Sequence, residues 1–161
     1  MKSCSDRSAD DQLLALDNQI CFALYAANRA VTARYRPLLT ELGLTYPQYL
    51  VMLVLWEQDS VGCAPKVSEL GQRLRLDSGT LTPLLKRLEE HQLIRRSRST
   101  DDERVVRAVL TDAGRELRAA AASVPGRLLC GLDVEPMRLV ELRRQLRSLL
   151  EVLEGAEPSG Q

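Results

Sequence analysis

Between Leu13 and Val31 the apolar residues return at steps of three and four: Leu13, Leu16, Ile20, Leu24, Ala27 and Val31. That spacing keeps one face of an α-helix apolar. It predicts a long helix from about Asp11 to near Pro37, with Cys21 inside it and beyond its first turn. So long a stripe, with few apolar partners close by in sequence, suits packing against another chain. Thr45-Tyr46-Pro47-Gln48 then reads as a capping box, T-x-x-Q, with proline in the first turn, where its missing N–H costs least. The run Tyr49–Trp56 is apolar on all sides and predicts a buried helix. Residues 57–66, EQDSVGCAPK, predict a loop from their glycine and proline.

The pattern changes after this loop. Ser68 is placed to cap a short helix, SELGQRL, ending near Arg75. Leu76 and Asp77 form the turn, and a second helix follows from about Ser78 to His91. Two short helices joined by so tight a turn predict a helix-turn-helix. In the second helix Leu81, Leu84, Leu85 and Leu88 share one face. The other face carries Gly79, Pro83, Lys86 and Glu90, flanked by Thr82 and Arg87. A small, polar and cationic face suits the major groove of DNA, and a solvated face is its plain alternative. Ser78, Thr80, Thr82, Pro83, Lys86 and Arg87 are the candidate DNA contacts here. Pro83 conflicts with a helix capped at Asp77, because its ring would meet the Gly79 carbonyl. Either the first turn is irregular or the helix proper starts at Thr82.

LIRRSRS and RVVRAVL then alternate apolar and basic residues around Thr100–Glu103 and predict a two-stranded hairpin. Following a helix-turn-helix, such a basic hairpin is a wing. Its arginines, Arg96, Arg98 and Arg104 among them, suit phosphates or a minor groove. Thr111 caps another helix, which Pro125 should kink or break. Asp133 is placed to cap a last helix with Leu139, Leu142, Leu146 and Leu149 in a stripe. The expected fold is mainly α with a small β-wing: a winged helix-turn-helix over 66–110. Helices in 11–58 and 111–154 form a two-fold homodimer, and the tail at 155–161 is disordered.

Charge adds one point. The 161 residues carry 22 basic and 22 acidic side chains, yet residues 66–107 hold 10 basic and 7 acidic. That local excess suits an anionic partner such as DNA. No apolar run approaches a membrane span of about 20 residues, and the N-terminus lacks a signal-peptide core. A cytoplasmic protein with no membrane partner is expected, its thiols starting reduced. Cys4, Cys21, Cys63 and Cys130 are scattered, no CxxC pair exists and His91 is the one histidine. No metal site and no cofactor are expected. No phosphate loop or acid/base pair points to an enzyme.

The order of two helices, helix-turn-helix, basic wing and two further helices resembles the MarR family of repressors over roughly residues 11–153. Three stretches resemble its organic hydroperoxide sensor (OhrR) branch: DNQICFALYAANRAV, LGLTYPQYLVMLVLWE and LDSGTLTPLLKRLEEHQLIRRSRSTDDERVV. The resemblance implies that Cys21 is the peroxide-reactive thiol and that Tyr35 and Tyr46 hydrogen-bond to it. It implies that Cys130, in VPGRLLCGL, is the resolving cysteine of the two-cysteine type. The wing aspartate and arginine fall on Asp102 and Arg104. The loop at 57–66 departs from the pattern: it is longer and adds Cys63.

The chemistry fits those roles. A thiolate, not a thiol, attacks an O–O bond. Cys21 has no Lys, Arg or His within two helical turns, and Arg29 lies about 12 Å along the axis. Phenol O–H groups can stabilise the anion instead. Tyr35 is 14 residues from Cys21, about 21 Å along a straight helix, so the two meet only across a dimer or through a broken helix. The expected switch starts with organic hydroperoxide oxidising Cys21. A disulfide to Cys130, implied to be on the other subunit, follows and releases a pseudo-palindromic operator. Two other readings stay open: a repressor released by a small aromatic ligand, and a thiol peroxidase.

Overall fold

The computed structural model describes residues 12–98 and 105–155. It forms two compact units, Met1–Leu128 and Leu129–Gln161. The first unit opens with a 3-10 turn at Leu16–Asn18, then α1 (Ile20–Thr40), α2 (Tyr46–Asp59), α3 (Val67–Leu74) and α4 (Ser78–Glu90). Strands β1 (Ile94–Arg98) and β2 (Val106–Leu110) follow, then α5 (Asp112–Ala121) and α6 (Val124–Leu129), which ends at the boundary between the units. The second unit holds α7 (Pro136–Gly155). Residues 1–10, Asp11, the hairpin tip Thr100–Glu103 and most of the tail at 155–161 lie outside the described residues.

The first helix differs from expectation at both ends. It starts at Ile20, because Gln19 is extended (φ −88°, ψ 115°). The side-chain amides of Asn18 and Gln19 donate back to the Gln12 and Leu13 carbonyls, a local bonding that competes with helix. Cys21 therefore sits in the first turn, not beyond it. At the other end the helix runs through Pro37 to Thr40. Proline removes one N–H and leaves the Ala33 carbonyl without its helical donor. Both residues are exposed, so water can serve that carbonyl. Closure comes at Gly43, left-handed at φ +67°, where the Leu44 N–H donates to the Leu39 carbonyl at 2.9 Å.

The capping box is as expected: the Thr45 N–H donates to Gln48 Oε1 at 2.8 Å. Helix α2 carries Tyr49, Val51, Met52, Leu55 and Trp56 into the core, but Leu53 is 41% exposed, so its burial is not complete on all sides. It also runs three residues into the expected loop, to Asp59. Ser68 does not cap α3. Lys66 precedes the helix in extended conformation, bridged to Arg107 on the outer edge of β2, and its N–H donates to Glu69 Oε2 at 2.8 Å.

The helix-turn-helix and wing are present. Asp77 caps α4 by accepting the Thr80 N–H at 2.8 Å. The helix starts at Ser78 despite Pro83, so neither an irregular start nor a start at Thr82 is needed. Pro83 and Gly79 lie on the exposed face, where the Gly79 carbonyl can bond to water. Leu81, Leu85 and Leu88 are buried beneath. The strands pair antiparallel from Ile94↔Leu110 to Arg98↔Val106.

Thr111 caps α5, its Oγ1 accepting the Gly114 N–H at 3.1 Å. Pro125 breaks the chain into two helices, as expected, and stands in the first turn of α6. Asp133 does not cap α7, which begins at Pro136. Proline biases the residue before it away from helical angles and is itself favoured at the first helical position. No residue of α7 is buried, and Leu142, Leu146, Val152 and Leu153 are exposed.

Gly114 joins α5 to the core. The Trp56 Nε1–H donates to its carbonyl at 2.8 Å, and a Cβ there would overlap the Leu93 carbonyl. Gly114→Ala is therefore expected to cost roughly 3 kcal/mol, about 6–12 °C in Tm by thermal unfolding. A melting temperature within a degree of wild type would contradict this packing.

Candidate functional site: a thiol helix and a DNA-reading unit

Cys21 is exposed, with Ile20 and Leu24 exposed beside it. In the first turn of α1, backbone N–H groups have no helical acceptor and can donate to an anionic sulfur. One and two turns further on stand Tyr25 and Arg29. Arg29 Nη1 donates to the Tyr25 hydroxyl at 3.0 Å and its guanidinium lies 5.6 Å from the ring centroid. This cation and phenol share a helix face with Cys21 at four-residue steps. The count of charges near Cys21 passed over Tyr25, and its i+4 spacing was the available signal.

The two expected tyrosines meet each other. Tyr35 on α1 and Tyr46 at the start of α2 have ring centroids 4.9 Å apart. Tyr49 joins them 5.8 Å from Tyr35 and leads to Trp56 at 6.3 Å. Tyr49 was missed because it reads as one more apolar position of a buried helix. Burial, and secondarily the neighbouring phenols Tyr49 and Tyr46, raises the Tyr35 hydroxyl above its ordinary pKa. Burial, then Tyr46, does the same to Tyr49. Because α1 is unbroken from Ile20 to Thr40, Tyr35 stays about 21 Å along the axis from Cys21 of its own chain. The structure brings Tyr35 and Tyr46 together and leaves Cys21 apart from Tyr35.

Cys130 follows α6 and is exposed, as is Cys63. Cys4 lies outside the described residues. The Cys63 loop is tied to the wing: the Arg107 guanidinium donates to the Ala64 carbonyl at 2.6 Å and the Ala108 N–H to Pro65 at 3.1 Å. Among the described residues no cluster of metal ligands occurs, and no helix is long and apolar enough to cross a membrane.

On the reading helix, Ser78, Thr80, Thr82, Pro83, Lys86 and Arg87 are all exposed on one side. The Thr80 hydroxyl is engaged with the cap, donating to Asp77 Oδ2 at 3.0 Å. Its backbone and hydroxyl bonds hold the Asp77 carboxyl below the usual range. Lys86 lies 3.9 Å from Glu90, an exposed pair of little energetic weight. On β1, Arg98 is exposed, but Arg96 is turned to the protein and meets Glu89. Asp102 and Arg104 lie outside the described residues.

Residues 33–120 match the family model for the transcriptional regulator SarA/Rot. The chain is 47% identical over 141 residues to the organic hydroperoxide resistance transcriptional regulator of Bacillus subtilis (strain 168). That match covers 87% of this chain and 92% of the relative. Two solved structures of AbfR, a protein of Staphylococcus epidermidis, are also similar. The reduced, DNA-bound form is 32% identical with a TM-score of 0.77, covering 91% of this chain and 97% of that one. The disulfide form is 35% identical with a TM-score of 0.59, covering 88% and 97%.

The raised phenols give a signed expectation. A group whose pKa is higher in the fold contributes stability that is full below its unfolded pKa, about 10 for tyrosine. That contribution is lost as pH rises through the folded value. Ultraviolet titration of native protein is expected to show a late tyrosinate component above pH 10 that shrinks in Tyr35→Phe. Ionisation of all four tyrosines as one transition near pH 10 would contradict the cluster.

Proposed function

This chain belongs to the MarR family of winged-helix transcriptional regulators, in its organic hydroperoxide branch, and we propose that it is a redox-sensing repressor. The observation that carries the reading is an exposed Cys21 in the first helical turn of a chain 47% identical to an organic hydroperoxide resistance regulator. In this reading two copies form a dimer through the helices of 11–58 and 111–154. Winged helices over 66–110 then bind the two halves of a pseudo-palindromic operator. The exposed apolar residues of α1 and α7 support pairing with a second copy: Ile20, Leu24 and Val31 on one, Leu142 and Leu146 on the other.

The proposed DNA contacts are Ser78, Thr80, Thr82, Pro83, Lys86 and Arg87 on α4. The wing is a second surface, with Arg98, Asp102 and Arg104 as its contacts; Arg96, expected among them from its charge, has its guanidinium engaged by Glu89. The proposed sensor is Cys21 with Tyr35 and Tyr46. About 21 Å of helix parts Cys21 from its own Tyr35, so the phenols that reach a given Cys21 come from the other protomer. They donate to the thiolate, and the apolar surroundings of Ile20 and Leu24 favour an alkyl or lipid hydroperoxide over hydrogen peroxide.

The chemistry is a two-step oxidation. The Cys21 thiolate attacks the O–O bond of ROOH, takes one oxygen and releases the alcohol ROH after proton transfer, leaving a sulfenic acid. The thiol of Cys130 in the other protomer then attacks that sulfur, forming an S–S bond and expelling water. A disulfide requires Cα atoms within about 7 Å. Any larger separation in the reduced dimer is closed by moving helices, and that shift spoils the half-site spacing. Cys21 is consumed once per event, so the protein acts as a switch and not as a peroxidase. The reading places it in the cytoplasm, where thiols start reduced.

The test is non-reducing electrophoresis with parallel DNA binding on the region upstream of its own gene, during titration with an alkyl hydroperoxide. A covalent dimer is expected that needs Cys21 and Cys130, not Cys63, and forms as DNA is released. Cys21→Ser is expected to stay on DNA at any peroxide dose. A dimer that requires Cys63 would overturn the role of Cys130. Peroxide-indifferent DNA binding would overturn the sensor and favour a repressor released by a small ligand.

A further inference from the structure

One ion pair joins the two DNA-facing elements. Glu89, on the last turn of α4, accepts from Arg96 on β1 at three points: the backbone N–H at 2.9 Å, Nε at 2.9 Å and Nη2 at 2.7 Å. Both side chains are about one-third exposed, 32% for Arg96 and 34% for Glu89. Elsewhere on β1, Arg95 and Arg98 are exposed.

The bonding pattern explains the geometry. Arg96 stands opposite Ala108, whose N–H points the other way, to the Pro65 carbonyl. The Arg96 N–H accordingly lies on the open edge of β1, where an unpaired donor is a liability. The Glu89 carboxylate covers it with one oxygen and receives the guanidinium fork with the other. A fork of this kind fixes orientation as well as distance. The bonds from Arg96, backbone first, hold the Glu89 carboxyl below the usual range.

We propose that Glu89 and Arg96 are positioning residues for operator binding: they set the angle between the reading helix and the wing, and Arg96 is not itself a phosphate contact. This deepens the DNA-binding reading above and rests on it. A phosphate-contacting arginine and a positioning arginine respond oppositely when the carboxylate is removed. If Arg96 served phosphates, Glu89→Gln would remove a negative charge from the DNA side, free the guanidinium and tighten binding. If the pair holds the wing, the same change loosens it and weakens operator binding. Lysine separates the roles again, because it replaces a point charge on phosphate but cannot reproduce the fork.

The experiment measures affinity by fluorescence anisotropy for operator and unrelated duplexes over a range of salt. It compares wild type with Glu89→Gln, Arg96→Gln, Arg96→Lys and the Glu89→Gln/Arg96→Gln double variant. Each single variant is expected to lose about tenfold in operator affinity and to keep its affinity for unrelated DNA within about twofold. The salt slope should stay unchanged, and the double variant should be no worse than Arg96→Gln. A general loss of structure would instead lower both affinities together. The proposal is overturned if Glu89→Gln binds the operator as tightly as wild type or tighter. It is also overturned if Arg96→Lys keeps wild-type affinity, or if Arg96→Gln reduces the salt slope by about one charge. Wild-type protein that does not prefer the operator would overturn the DNA-reading function itself, a result distinct from these.

Discussion

A rigid rod governs what this chain can do alone. Helix α1 runs unbroken from Ile20 to Thr40, with Cys21 at its start and Tyr35 about 21 Å along it. Side chains cannot span that gap. The phenols gathered at the far end, Tyr35 with Tyr46 and Tyr49, are therefore out of reach of their own cysteine. A thiol that uses those phenols has to take them from a second copy, so the proposed sensor exists only in the dimer. Oxidation can then be felt by both protomers, because the reacting groups belong to different chains.

The reading unit is tied together at both ends of its helix and along its wing. Asp77 fixes the start of α4 through Thr80, and Glu89 fixes its last turn to β1. The outer edge of β2 is bridged to Lys66, and the Ala64 carbonyl takes the Arg107 guanidinium. Buried Leu81, Leu85 and Leu88 seat the helix on the core. Such a unit transmits displacement instead of absorbing it, which suits a switch that acts through half-site spacing. The Cys63 loop is part of that frame, since residues 64–66 form the third edge of the wing.

Much of this was legible in the sequence. The T-x-x-Q box, the leucines of α4, the alternation of the hairpin and the break at Pro125 each rest on one local rule, and each appears in the structure. Helix ends were less legible. The start of α1 depends on amide side chains of Asn18 and Gln19 that bond backward, a competition no periodicity reports. At the start of α3, Lys66 has its N–H taken by Glu69 and pairs with Arg107 of β2, 41 residues away in sequence; the second of these no local capping rule sees. Pro136, not Asp133, sets the start of α7. Prolines at 37 and 83 sit inside helices at exposed positions, where the Ala33 and Gly79 carbonyls that lose a helical donor can bond to water, and exposure is a tertiary property. At the site, charge counting found Arg29 but missed the Tyr25 hydroxyl it bonds, and reading Arg96 as one more wing cation missed its carboxylate partner.

In the proposed switch, oxidation of Cys21 changes the separation of two reading helices. Pulsed electron paramagnetic resonance measures that separation. The label belongs at exposed His91, just past α4, attached through a non-natural amino acid so that the native cysteines remain. A narrow distance distribution is expected in the reduced dimer. Alkyl hydroperoxide should shift its mean by a few ångströms, a shift absent in Cys21→Ser. A mean that stays in place while wild-type protein leaves its operator, or a shift that persists in Cys21→Ser, would contradict the proposed switch.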